Sequence, residues 1–592
     1  MSSSNEGVSG SSGTTPAPYA GSVQPGPSTD PILNQHLKAP KQGSPLPWKI
    51  LSLVLAVALV CSLWALSQAG KAASGGGQAS AQPAQSMSIG LKLAPSNLDI
   101  RNQSGSALDQ ALVGNVYEGL VTRDESNAVQ PGLAKSWQVS ADGKTYTFHL
   151  NSGMKFSNGD TLDADDVAWS ISELMSRKYH DAEQVRNFQA VRVLDPATVE
   201  LKLSAPYASL LWVLAGRPGL VFDKDAKYDP KSQAIGSGPY TVAAFVPNDS
   251  LTLKANPSYW GPHKAKTPTI YLRYMSDDNA AVNALRSHDI QVLAPITATL
   301  AAPFKSDSAH YQVHVGQGTD KYVLAMNSKG SKTSDLRVRQ AIRYAIDHGQ
   351  LIASRGSTDL ALGGPIPKLD PGYEDLTGLY PRNERKAQEL MSAAGYSPAR
   401  PLQLRLTYAN TYGTELGDQL RSQLKPIGID LQVQVVEFST WMQNVYTNHD
   451  YDLSLVDHSE SHDFAQWTNP SYYYGYDSPK VRELYQQAMA ASSSQESNKL
   501  LAQAARQVSQ DAPADWLLNY QISTAMLVGV HNFPLSLNQT LLPLSRVYYT
   551  PDNAGTSSSS QSASAGPAAS ASVSRSDSGA SAEPARLSGQ RK

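Results

Sequence analysis

The stretch PLQLRLTYANTYGTELGDQLRSQLKPIGIDLQVQVV, residues 401–436, decides the class of fold. Leu402, Leu404, Leu406 and Tyr408 alternate with their neighbours, the period of a half-buried strand. Leu416, Leu420 and Leu424 then recur at helical spacing. Pro426 stops that helix, because proline has no N–H to continue the hydrogen-bond ladder. Leu431, Val433 and Val435 return to period two. A strand, a helix and a second strand in succession predict an α/β lobe with some parallel pairing, since parallel neighbours need a crossover.

The same grammar extends outward. Asn383 opens a helix with Ala387, Leu390, Met391 and Ala394 as its apolar stripe, and Gly395 is placed to end it. Asp335 precedes a helix carrying Val338, Ala341, Ile342 and Ala345 on one face. Nearer the start, Asp163 caps a helix that buries Val167, Ile171 and Leu174. Tyr146, Phe148 and Leu150 predict one strand, and Val199, Leu201 and Leu203 another. This earlier half has more strands and turn glycines, and reads as a separate mixed lobe. At 592 residues the chain is too long for one core.

The ends are different. Residues 1–47 are rich in Ser, Gly and Pro and read as a disordered N-terminal segment. Residues 70–86 read as a flexible linker, and 553–592 as a disordered Ser/Ala-rich tail. Between the first two, within 48–69, lies the uncharged run from Ile50 to Leu66, preceded by Lys38, Lys41 and Lys49. It is long enough for a short spanning helix, and the lysines keep its N-terminal side inside. Three readings stay open: a retained signal-anchor, a signal peptide cleaved after Ala69, and lipidation at Cys61, against which Val60 counts. All three export the remainder, so an extracytoplasmic location is expected, anchored to the bacterial membrane or secreted.

Composition excludes several classes. A formal net charge of -2 argues against a nucleic-acid binder or a polybasic membrane binder. The single cysteine permits no disulfide framework or cysteine metal cluster within the chain. No Gly-x-Ser-x-Gly elbow, His-Glu-x-x-His motif or phosphate loop is present, and an enzyme is not expected. No cofactor is expected either. The 28 tyrosines outnumber nine phenylalanines, a balance that suits a wet cavity as well as an ordinary exterior.

A series of ordered segments carries a resemblance. It begins with Pro95-Ser-Asn-Leu-Asp99, Asn115-Val-Tyr-Glu-Gly-Leu-Val121 and Pro131-Gly-Leu-Ala-Lys-Ser-Trp137. It continues through Tyr146-Thr-Phe-His-Leu150, Gly236-Ser-Gly-Pro-Tyr240, Asn256-Pro-Ser-Tyr-Trp-Gly261 and Asp335-Leu-Arg-Val-Arg-Gln-Ala-Ile342. Ala393-Ala-Gly-Tyr396, Glu437-Phe-Ser-Thr-Trp441 and Asp511-Ala-Pro513 close it. From about Ser88 to Tyr549 the chain resembles the family-five extracellular solute-binding proteins, which include oligopeptide-, dipeptide- and nickel-binding receptors.

The resemblance implies an α/β, two-lobed periplasmic-binding-protein-like fold (type II, cluster C) with an extra inserted subdomain. Residues 87–325 would form lobe I with that subdomain, 326–520 lobe II, and 521–552 the return to lobe I. The lobes would close on a ligand by hinge motion. The implied function is that of an ABC-importer substrate-binding protein, a monomer that captures short peptides and delivers them to membrane permease subunits. In peptide-binding members the peptide adds to the protein backbone like a strand, and a second-lobe carboxylate holds its amino terminus. The fold also serves nickel chelates, haem, opines and oligosaccharides, and a surface receptor uncoupled from transport is a further alternative.

The corresponding stretch here is Asp450 to Asp463, although Val456 and the lack of proline after Asp463 depart from the family pattern. Glu460 and Asp463 are the first choices for the amine anchor, and Asp457 the third. His458, Trp441, Trp467 and Tyr474 complete the expected ligand-binding set. His458, Glu460 and His462 alternate, which would align metal-ligand types on one strand face, but no metal is assigned. Gly236 and Gly238 are read as a structural turn, Trp137 and Trp260 as core anchors, and Arg337 and Arg339 as fold-stabilising ion-pair partners.

Overall fold

A computed structural model describes residues 83–551, Ser104 excepted. The run Ile50–Leu66, the segment 1–47 and the tail 553–592 lie outside the described residues, as does the linker up to residue 82. No helix among the described residues is long and apolar enough to cross a membrane.

Eleven strands precede residue 300: β1 (Ser86–Leu91), β2 (Val121–Arg123), β3 (Val129–Pro131), β4 (Ala134–Val139), β5 (Thr145–Leu150), β6 (Phe188–Asp195), β7 (Thr198–Leu203), β8 (Tyr240–Val246), β9 (Ser250–Ala255), β10 (Thr269–Tyr274) and β11 (Val292–Ala294). Seven follow: β12 (Tyr311–Met326), β13 (Leu402–Ala409), β14 (Ile429–Val436), β15 (Leu453–His458), β16 (Ala514–Leu527), β17 (Val530–His531) and β18 (Tyr548–Tyr549).

The 401–436 unit folds as its periodicity demands. β13 and β14 pair in parallel from Leu402↔Ile429 to Ala409↔Val436. The helix Glu415–Leu424 crosses between them and buries Leu416, Leu420 and Leu424. Asp163, Asp335 and Asn383 each accept a backbone N–H at the start of the helix expected after them. The Asp163 cap is a full capping box, closed by Asp166. Gly395 follows its helix at φ 91°, a left-handed backbone that glycine adopts without a Cβ penalty.

Ten strands form one sheet in the order β14-β13-β15-β12-β16-β11-β1-β10-β9-β8. It belongs to both lobes. On one side of its middle, β1 and β10 pack in a cluster with Leu272, Val292 and the late residues Phe533 to Val547. On the other, β13, β14 and β15 pack with the helices Leu336–Ala345 and Glu384–Ala393. A separate four-stranded antiparallel sheet, β4-β5-β7-β6, has its own core with the helix Ala164–Arg177.

Two long strands join the lobes. The first half of β12 pairs with β16 from Tyr311↔Leu527 to Gln317↔Gln521. Its second half pairs with both β16 and β15, from Lys321 to Met326. The register breaks between Gln317 and Lys321. An irregularity of this kind bends a strand and increases its local twist. Gly316 adjoins the break, where an added Cβ would meet Leu535 O at 1.8 Å.

The turn at Gly236 and Gly238 has a similar cause. Cβ atoms there would lie 2.0 and 2.4 Å from the carbonyl oxygens of Val116 and Asn115. Trp137 and Trp260 are half-buried against the core of the four-stranded sheet. Arg337 pairs with Asp335 at 2.7 Å. Arg339 departs from the expected ion pair: it is buried and donates to the carbonyls of Thr333, Ser334, Asp511 and Ala512.

Candidate ligand cavity between the lobes

The second lobe's contribution begins where β15 ends. Val456 and His458 face one side of this strand, Leu453 and Leu455 the other, as period two requires. Beyond His458 the backbone turns, and His462 takes a left-handed φ of 58°. Lys321, opposite His458 on β12, holds this turn. Its side chain is 1% exposed, and Nζ donates to Thr319 O at 3.2 Å and Glu460 O at 2.7 Å and pairs with Asp463 at 3.2 Å. These three contacts match the three donors of an ammonium, whose burial without partners would be very costly.

The pair is ionised at neutral pH. Burial acts to lower the Lys321 pKa, but the carboxylates of Asp463 and Asp370 together hold it above its ordinary value. Burial pushes the Asp463 carboxyl up to about 6, with Lys321 opposing and Asp370 adding.

Asp370 secures the turn from a second side. It accepts from Ser461 Oγ and from the His462 backbone N–H at 2.8 Å. It also accepts from the first lobe, at 3.2 Å from Asn127 Nδ2. Asn127 is buried and joins both lobes. Its Nδ2 also donates to Leu369 O at 3.2 Å and Ser461 Oγ at 3.0 Å. Its Oδ1 accepts from Arg123 Nη1 at 3.0 Å and Trp212 Nε1 at 3.1 Å. Trp212 in turn stacks on His462, with ring centroids 3.8 Å apart and planes at 13°. Burial pushes His462 down to about 4, against the opposing pull of Asp370, so the stacked ring is neutral at pH 7.

These contacts border a cavity of about 670 Å³ lined from both lobes. That volume lies within the roughly 300–1,000 Å³ of small-molecule sites. On the first lobe Arg217 pairs with Asp109 at 2.6 Å and donates to three backbone carbonyls. Burial raises the Asp109 pKa against the pull of Arg217. Arg123 lies with its guanidinium carbon 4.9 Å from the Trp212 ring centroid.

Of the residues chosen from the sequence, Glu460 and Asp463 line the cavity. The Glu460 side chain is exposed and makes no ion pair among the described residues. Asp457, His458, Trp441, Trp467 and Tyr474 lie outside the lining. Asp457 projects from the opposite face of β15 towards Tyr322 and Tyr412, and burial raises its pKa well above the ordinary carboxyl value. His458 points into the lobe core, with Nε2 3.0 Å from Tyr473 Oη and 2.6 Å from Tyr474 Oη. Burial pushes it down to about 3. Trp467 stacks on Tyr474 at 4.2 Å, and Trp441 donates to Ser454 Oγ at 2.9 Å, all within one buried cluster. The alternation of His458, Glu460 and His462 does not persist past the strand end, and no group of three or more potential ligands among the described residues could hold a metal.

Lys321, Asp370, Asn127, Trp212 and Arg123 were not singled out from the sequence. Lys321 carries a signal: a cation within the run Lys321-Tyr-Val-Leu-Ala-Met326 must find partners if the strand is buried. The others come together only through the tertiary fold.

Comparison with known proteins gives a consistent result. The model of the bacterial extracellular solute-binding proteins, family 5, middle region, matches residues 128–481. The glutathione-binding protein GsiB of Salmonella paratyphi A is 26% identical over 342 residues, 56% of this chain and 66% of that protein. The chain thus matches just under two thirds of the length of this relative. The substrate-binding protein CtaP of Listeria monocytogenes superposes with a TM-score of 0.72 at 18% identity, over 79% of this chain and all of that one. The oligopeptide-binding protein AppA of Bacillus subtilis, solved with a nonapeptide, gives 0.63 at 20% identity, over 80% of this chain and all of that one. These two structures share the fold.

Proposed function

This chain belongs to the bacterial extracellular solute-binding proteins of family 5, and from that premise we propose that it captures short peptides between its lobes and delivers them to the permease of an ABC importer. The observation that carries this reading is the cavity of about 670 Å³, walled by charged groups of both lobes and bounded by direct lobe-to-lobe contacts. Its volume favours a small solute over a long chain. The names of the relatives, which include glutathione- and peptide-binding proteins, support the same ligand class. The protein acts as a monomer on the outer side of the membrane, tethered through the apolar run Ile50–Leu66.

Glu460 is the amine anchor in this reading. Its carboxylate is at the cavity and unpaired, whereas Asp463 is committed to Lys321. Asp463 acts indirectly, because Lys321 ties it to the Glu460 carbonyl and so fixes the loop. A charge-assisted hydrogen bond to a ligand ammonium contributes about 1.5–3 kcal/mol, so Glu460→Gln weakens tri-alanine binding about 10- to 100-fold. Isothermal titration measures this. Unchanged affinity places the anchor elsewhere, and failure of any short peptide to bind the unaltered chain overturns the peptide reading.

A further inference from the structure

We propose that a second, smaller cavity in the second lobe, walled by Arg343, His348 and Arg382, binds a free tetrahedral oxyanion of the sulfate or phosphate class. The proposal goes beyond the peptide reading and does not depend on it.

This cavity measures about 230 Å³ and shares no lining residue with the one between the lobes. The volume falls below the roughly 300–1,000 Å³ of sites for larger solutes, so it suits a small ion. Three local features build it. Arg343 stands in the last turn of the helix Leu336–Ala345, and His348 opens the helix that follows, His348–Ser354. The segment from Thr377 to Arg382 closes the remaining side. Gly363 permits that closure, because a Cβ there would lie 2.1 Å from the Leu376 carbonyl carbon.

The lining presents three basic side chains and one carboxylate, Asp347. Arg343 is buried and locked. Its Nε lies 3.3 Å from Asp515, Nη1 donates to Ser509 O and Oγ, and Nη2 donates to Gly363 O. His348 uses the same Asp515, with Nε2 3.1 and 3.2 Å from its two oxygens. One carboxylate thus serves two basic groups, and it is fully buried behind them, outside the lining. Arg382 is half exposed and pairs through Nη1 with Asp347 at 3.1 Å. Asp347 also accepts from the Gln350 N–H at 3.0 Å. Asp375 accepts from the N–H and Oγ1 of Thr377 and does not line the cavity.

The charge that remains is carried by the imidazole. Burial acts to lower the His348 pKa, but Asp515 overrides it, with Arg343 opposing and Asp347 adding, and the ring titrates above its ordinary value. Burial likewise acts to raise Asp515, and His348 and Arg343 more than reverse it. With the ring protonated, the charges of Arg343, His348 and Arg382 exceed those of Asp347 and Asp515 by one. Nε2–H is spent on Asp515, whereas Nδ1 has no partner among the described residues and is not sealed from solvent. An oxyanion in the cavity accepts from Nδ1–H and from the free edge of the Arg382 guanidinium. Both are charge-assisted bonds, the strong kind, and the anion supplies the missing counter-charge.

The test titrates the full chain with sodium sulfate by calorimetry, in chloride buffer at constant ionic strength. Sulfate keeps both charges throughout, so a pH dependence belongs to the protein. At about pH 6, where the His348 ring is charged, one site binds with a Kd of about 0.1–1 mM. At about pH 9 the ring has lost its proton, and binding is at least about tenfold weaker. His348→Gln weakens sulfate about tenfold at the lower pH and removes the pH dependence. Arg382→Gln, at a half-exposed position where the fold tolerates change, weakens it about as much and keeps the pH dependence, while Arg382→Lys falls between. Absence of sulfate binding by the unaltered chain at the lower pH overturns the proposal. Binding that both Gln variants leave within about twofold also overturns it, by placing the ion elsewhere, the inter-lobe cavity included. Equal affinity at the two pH values removes His348 from the site and overturns it too. Peptide binding is read separately with tri-alanine, so its failure leaves this result standing.

Discussion

Lys321 shows how a single residue shapes the cavity. Its ammonium is enclosed, and it bonds the turn twice, at Glu460 O and Asp463, and Thr319 O once. Removing it leaves Asp463 buried beside Asp370 with no cation, and breaking a buried pair in this way costs about 3–5 kcal/mol. Lys321→Met therefore lowers the unfolding free energy by about 3 kcal/mol or more, measured by urea denaturation. A loss below about 1 kcal/mol contradicts the stitching role. The acidic turn was legible because carboxylates crowd residues 457–463 just after an alternating strand. Which of them reach the cavity was not. That depends on strand parity and on where β15 stops, and both send His458 into a tyrosine-lined core. The aromatic residues Trp441, Trp467 and Tyr474 were ambiguous for the same reason, since large rings serve cores and cavities equally well.

At the scale of elements, the parallel pair β13 and β14 and its crossover helix were fully readable. Each is local, and each repeats its apolar period over eight to ten residues. The strands that connect the lobes were less so. β12 and β16 are long, and their half-and-half allegiance to two lobes is set by partners far away in sequence. Gly316 marks the crossing, because the chain at Leu535 passes too close for a side chain. Gly316→Val pushes one backbone against another at this point and destabilises by about 1–3 kcal/mol, or more if the strands must separate. Denaturant unfolding of the variant checks this. An unchanged midpoint contradicts the close approach at this crossing.

The described residues form the two-lobed fold of the family-5 solute-binding proteins, and both lobes share one ten-stranded sheet. Two long strands connect the lobes, and Asn127, Asp370, Ser461 and the Trp212–His462 stack meet across the cleft between them. Its overall class was visible in the ordered series of short segments, from Pro95 to Pro513, because many weak matches in sequence order constrain a fold jointly. Ligand identity was not visible in that series, because the cavity is assembled from distant side chains that the segments do not include. Native mass spectrometry of the full chain, purified from its cells without denaturation, tests the central claim most directly. The account predicts bound masses that fragment as short peptides, whereas a bound sugar, haem or metal chelate with no peptide among the adducts would contradict it.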